Sequence, residues 1–145
     1  MKHSILKAIG LSLALTGGVF AASAQIATPA ETTEKTVVPA TLEGVWQAID
    51  AKSADLKKTI DKGDLEEVHH HAFAIRDLVA ALPAKSSALS AENLAKVKTG
   101  VKFVATLAER LDASGDAKDA AGTKQNFERL TTVLASLRAN YPTMK

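Results

Sequence analysis

The sequence predicts an all-α protein, an up-down-up-down four-helix bundle, on three observations. Apolar residues recur at three- and four-residue steps through four separate segments. Each segment runs roughly 18 to 25 residues, long enough for a bundle helix. The connections between them are short and carry Gly, Pro, Ser and Asp where caps and turns need them. With 145 residues, 46% of them apolar, the chain can build one core and has no volume for a second.

Residues Met1 to Ala24 have a basic start, an apolar run from Ala8 to Phe20 and small residues ending Ala22-Ser23-Ala24, the pattern of a secretory signal peptide cleaved after Ala24. The run is 13 residues long and contains Gly17 and Gly18. A spanning helix needs roughly 20, so no stable membrane anchor is expected. Gln25 to Ala40 mixes Thr, Pro, Glu and Ala without periodicity and reads as a flexible leader. The bundle domain is then residues 41–145, and export predicts the periplasm as its compartment.

The first helix is predicted over Leu42 to Lys62, with Leu42, Val45, Trp46, Ile49, Ser53, Leu56 and Ile60 on one face and Gly63 as its stop. Asp64 and Glu67 have the spacing of a capping box for a second helix from Leu65 to about Leu82, closed by Pro83. Its inward row is Leu65, Val68, Ala72, Ile75, Val79 and Leu82. Ser90 is a natural cap for a third helix running to about Leu111 with Leu94, Val97, Val101, Val104, Ala108 and Leu111 inward. The stretch Asp112 to Asp116 has turn chemistry. Asp116 and Asp119 can then open a fourth helix with Ala120, Thr123, Phe127, Leu130, Leu134, Leu137 and Tyr141 inward.

Composition excludes several functions. There is no cysteine, so thiolate nucleophiles, iron–sulfur clusters, disulfides and thioether-linked haem are ruled out. Lys2 and Lys7 supply the net charge of +2, leaving the chain from Gln25 onward balanced at 16 basic and 16 acidic residues. A neutral chain without a basic block gives no reason to expect nucleic acid as a partner. Haem is not expected either, because Met144 is the one methionine after Met1 and lies at the end of the chain.

The cluster that stands above composition is Glu66-Glu67-Val68-His69-His70-His71. At roughly 100° per residue the three imidazoles fan out, so they cannot share one ion on an ideal helix. Glu66 with His70, and Glu67 with His71, are i,i+4 pairs on common faces. Carboxylate oxygen with imidazole nitrogen suits zinc, nickel, cobalt or copper(II), and Glu66, Glu67, His69, His70 and His71 are the candidate metal ligands. His69 projects to the level of Leu56, Ile60, Ala108 and Ala120, where no inward carboxylate faces it. This favours weak surface binding near Asp112, Asp116 and Asp119. Arg76 projects near the apolar face and needs an acidic or carbonyl partner, although adjacency along a helix does not by itself pair it with Asp77.

No enzyme template fits the sequence. The serines lie mainly at caps, loops or helix positions with no histidine in their row, and the helices other than the second carry no histidine to complete a di-metal centre. On the third helix Gly100, Phe103 and Leu107 lie to one side of the inward row and could form a compact docking patch, with Leu107 at its boundary. Self-association or a periplasmic protein partner is the expectation that follows.

Val68-His69, Ala72-Phe73-Ala74-Ile75-Arg76-Asp77-Leu78 and Val101-Lys102-Phe103-Val104-Ala105-Thr106-Leu107-Ala108-Glu109-Arg110-Leu111-Asp112 resemble a group of uncharacterised exported four-helix proteins of Gram-negative bacteria associated with heavy-metal efflux. The similarity covers most of Val45 to Tyr141. It implies a periplasmic bundle connected with metal stress and assigns no ligand. The expected function is therefore a non-enzymatic role in metal homeostasis with weak divalent-metal binding. The alternative is a metal-independent helical interaction module.

Overall fold

Thr41 starts the first helix, α1 (Leu42–Lys62), from an extended backbone (φ −97°, ψ 153°), and its hydroxyl accepts the Gly44 N–H at 3.1 Å. At the other end Gly63 turns left-handed (φ 80°). Its N–H then donates to Ile60 O, and the Asp64 N–H to Thr59 O, which satisfies two terminal carbonyls. The computed structural model describes residues 35–141. The expected signal peptide and the expected leader as far as residue 34 lie outside them, as do residues 142–145. Within the described residues, 35–40 carry neither helix nor strand. Thr36 Oγ1 donates to Asp77 at 3.4 Å and Lys85 Nζ donates to Ala40 O at 2.8 Å.

The second helix departs from its predicted form at both ends. A 3-10 turn, Leu65–Glu67, precedes α2 (Val68–Ala80), and a second 3-10 turn, Pro83–Lys85, follows it. The expected capping box is absent: the Asp64 side chain makes no cap hydrogen bond, and the Glu67 N–H donates to the Asp64 backbone carbonyl at 3.1 Å instead. Tight 3-10 winding has used that donor already. Pro83 has no N–H to continue the α-helical ladder, so the chain ends α2 before it.

Ser90 caps α3 (Ala91–Asp116), its hydroxyl accepting from the Asn93 N–H at 3.2 Å. Contrary to the predicted end at Leu111 and the predicted turn over Asp112 to Asp116, the helix continues through Ser114 and Gly115 to Asp116. Gly115 is buried, and a Cβ there would sit 2.6 Å from the Leu65 carbonyl oxygen. This glycine therefore serves close backbone approach within a helix and not a break in it. The turn falls later, at Lys118 in the left-handed region (φ 54°), and Asp119 caps α4 (Ala120–Arg138) by accepting from the Gly122 N–H at 2.9 Å.

The four helices are all-α and pack in chain order, α1 on α2, α2 on α3 and α3 on α4, with the α1–α4 seam the sparsest. The core includes Val45, Ile49, Leu56, Val68, Ile75, Leu78, Leu82, Val97, Val104, Leu111, Leu130 and Leu137, each at most 2% exposed. Ala120, predicted inward, is exposed because it begins α4 beyond the core layer. One end of the bundle is closed by aromatics. Trp46 and Tyr141 meet edge to face with centroids 5.7 Å apart, and Arg138 stacks on Trp46 at 4.5 Å while pairing with Asp50 at 2.7 Å. Beneath them the Ser86 hydroxyl donates to Leu82 O at 2.6 Å, which leaves the Tyr141 hydroxyl as the donor in its 2.7 Å bond to Ser86 Oγ.

Candidate metal site on the second helix

The 3-10 turn before α2 sets the positions of the acidic residues and the first α-helical turn sets those of the histidines. The changed winding alters which side chains meet. Glu66 does not face His70; its Oε1 lies 2.8 Å from Lys118 Nζ, at the α3–α4 turn. The ammonium donates to the carboxylate and neutralises it, which holds the Glu66 carboxyl below its usual range and raises Lys118. The expected Glu66–His70 pair is thus replaced by a lysine contact across the bundle.

Glu67 pairs with a different histidine from the one its spacing favoured. Its Oε2 lies 3.7 Å from His70 Nε2, an i,i+3 contact, and both side chains are exposed. His71 turns to the α1 side. Burial lowers the His71 imidazole below its ordinary range, the nearby Lys52 charge lowers it further, and His70 adds to this, against the opposing pull of Asp55 and Glu67. His69 is half-buried, with its ring 3.9 Å from that of His70 and 6.5 Å edge to face from Phe73.

Of the five candidate ligands, the structure brings Glu67 and His70 together, with His69 stacked beside them. Glu66 is drawn to Lys118 and His71 faces α1. Among the described residues no group of three or more His, Cys, Asp or Glu side chains is arranged to hold an ion. A scan against protein-family models finds no match, and neither curated proteins nor solved structures give one.

Two donors 3.7 Å apart can be spanned by one ion at bond lengths of about 2.1 Å, which requires an angle of about 120° between them. A small side-chain rotation brings that to the tetrahedral value. Solvent would have to supply the remaining ligands, which makes any such site open and weak.

Two other features were incompletely legible. Arg76 takes Asp77 as its partner after all, with Nε donating to Oδ1 at 3.0 Å, because the long guanidinium arm curls back to its neighbour while stacking on Phe73 at 4.5 Å. The patch predicted on the third helix is redistributed. Leu107 is buried, a Cβ at Gly100 would meet Leu137 at 2.5 Å, and only Phe103, 59% exposed, stands out. Phe103 borders an open groove between α3 and α4 of about 630 Å³ whose α4 side is Gln125, Glu128, Arg129, Thr132 and Val133. The three- and four-residue spacing of those α4 residues was the available signal. It forms no hydrophobic stripe, because Val133 is the one apolar residue among four polar ones.

Proposed function

We propose that this protein is an exported, non-enzymatic helical bundle of the periplasm that takes part in metal homeostasis by binding a divalent cation weakly. The observation that carries the reading is the exposed Glu67–His70 pair, a carboxylate oxygen and an imidazole nitrogen 3.7 Å apart on one turn of a helix. Zinc, nickel, cobalt and copper(II) all accept that donor pair. His69 lies within reach of the same turn, and open coordination suits reversible uptake. The non-enzymatic part is supported by the serine hydroxyls, since Ser86, Ser114 and Ser136 each donate to a backbone carbonyl of their own helical segment. Among the described residues no helix is long and apolar enough to cross a membrane.

The test is isothermal titration of zinc, nickel and copper(II) into tag-free protein recovered from the periplasmic fraction, its amino terminus read by mass spectrometry. A chain starting at Gln25 and saturable binding at about 1 mM or tighter are expected. Glu67→Gln and His70→Ala should each weaken binding about tenfold, a loss of roughly 1.4 kcal/mol, whereas Glu66→Gln should change it little. Affinity should also fall on acidification, because imidazole must be neutral to donate its lone pair. Absence of saturable binding in that range, or an affinity unchanged in the His69, His70 and His71 triple alanine variant, overturns the reading.

A further inference from the structure

Two arginines of the chain stack on aromatic rings, Arg138 on Trp46 and Arg76 on Phe73, both at 4.5 Å. Phe103, by contrast, is 59% exposed and has no stacked cation among the described residues. In the groove beside it Arg110, Arg129 and Glu128 form no ion pair with any described residue. Among the described residues the groove thus collects one unstacked aromatic ring, two unpaired cations and one unpaired anion.

Their order along the groove matters. Asn126 reaches Arg110 O at 3.2 Å, Thr123 reaches Ser114 Oγ at 3.0 Å and Gly100 abuts Leu137, so α3 and α4 run antiparallel with Phe103 level with Val133. One end of the groove is aromatic and aliphatic, the other end carries Arg110, and Glu128 and Arg129 lie near the middle. Such a surface is its own complement when reversed.

We propose that the α3–α4 groove is the self-association surface of this protein and that its occupant is a second copy of the chain. A two-fold axis lying in the interface across the helices sets α3 against α3 and α4 against α4 in antiparallel order. Each Phe103 then meets the partner's Arg110, repeating the ring–guanidinium stacking seen twice within the chain. Near the axis each Glu128 reaches the partner's Arg129, and Leu107 and Val133 supply the apolar floor that Phe103 covers. This proposal is independent of metal binding, which concerns α2.

Sedimentation equilibrium on the purified protein, from low micromolar to near-millimolar concentration with a chelator present, provides the test. The chelator removes any association bridged by metal through the histidines. A monomer–dimer equilibrium is expected. Phe103→Ser should weaken it at least about tenfold, as loss of a central aromatic anchor does. Glu128→Arg and Arg129→Glu should each weaken it to a similar degree. The double variant Glu128→Arg with Arg129→Glu should restore it, because both copies are changed and the pairing is only exchanged. All these sites are at the surface, and circular dichroism verifies that helicity is retained. A monomer at every concentration, a dimer indifferent to Phe103→Ser, or a double variant no better than its parents overturns the proposal.

Discussion

Gly100 and Gly115 occupy the same helix and would each set an alanine methyl against a different kind of neighbour. Alanine in a helix interior gains roughly 0.5–1 kcal/mol over glycine. At Gly115 the added methyl would sit 2.6 Å from the Leu65 carbonyl oxygen, an atom of the backbone that cannot move without shifting the 3-10 turn. Gly115→Ala should therefore lower stability by about 1–3 kcal/mol, the usual cost of overpacking. At Gly100 the methyl would meet Leu137 Cδ2 at 2.5 Å and Cγ at 2.8 Å, and that leucine is a core side chain only 2% exposed, so it yields only by disturbing its packing. Gly100→Ala should therefore also cost about 1–3 kcal/mol, through overpacking against a side chain. Urea melts of the two variants check both values, and a variant as stable as the parent would refute the reading at its site. The same residue type thus reads as a turn signal at Gly63 and as a packing notch at Gly115, a distinction set by the neighbouring element.

At the scale of elements, α2 is the helix whose chemistry depends most on its neighbours. His71 faces α1 near Lys52 and Asp55, with His70 and Glu67 on its own segment, and its folded pKa lies below the ordinary 6.5. Above 6.5 the imidazole is neutral in the folded and unfolded chains alike and costs nothing. As pH falls below 6.5 toward the folded value, the unfolded chain takes up the proton first, so stability is lost on acidification. Denaturant melts between about pH 7.5 and 5 should show a smaller acid-side loss for His71→Asn than for the parent. An identical pH slope would mean that His71 does not couple α1 to α2 in this way. The helices themselves were largely legible: the α1 boundaries, Ser90 as a cap and the buried rows follow from period and cap chemistry. The ends of α2 and α3 were not, because 3-10 winding and the close approach at Gly115 are tertiary outcomes. The same reason explains the misassigned histidine partners. A single turn of 3-10 helix shifts Glu66 and Glu67 around the axis, and Lys118 comes from a turn that no local spacing could place beside Glu66.

At the scale of the bundle the seam between α1 and α4 is the sparsest of the four seams between neighbouring helices. Two buried polar atoms of α1, Trp46 Nε1 and Ser53 Oγ, have no hydrogen-bond partner there or elsewhere among the described residues. Each such group costs about 1–3 kcal/mol, so α1 is held less firmly than its apolar face alone would suggest. Arg138 offsets this at one end through its stack on Trp46 and its pair with Asp50. The pair is largely exposed and contributes about 0–1 kcal/mol, while the stack adds about 0.5–2. Arg138→Ala should accordingly cost about 1–2 kcal/mol in denaturant melts, and Asp50→Asn less than about 1.

Trp46 is the sole tryptophan of the chain, and it sits at the closed end between Arg138 and Tyr141. The indole emission of the protein therefore comes from a single position on the seam, with no second indole to dilute it. On gentle heating, Arg138→Ala should shift that emission to the red before the far-ultraviolet helical signal declines. The wild type should show both changes together. A built-in optical reporter of α1 loosening is thus already present, readable without any label.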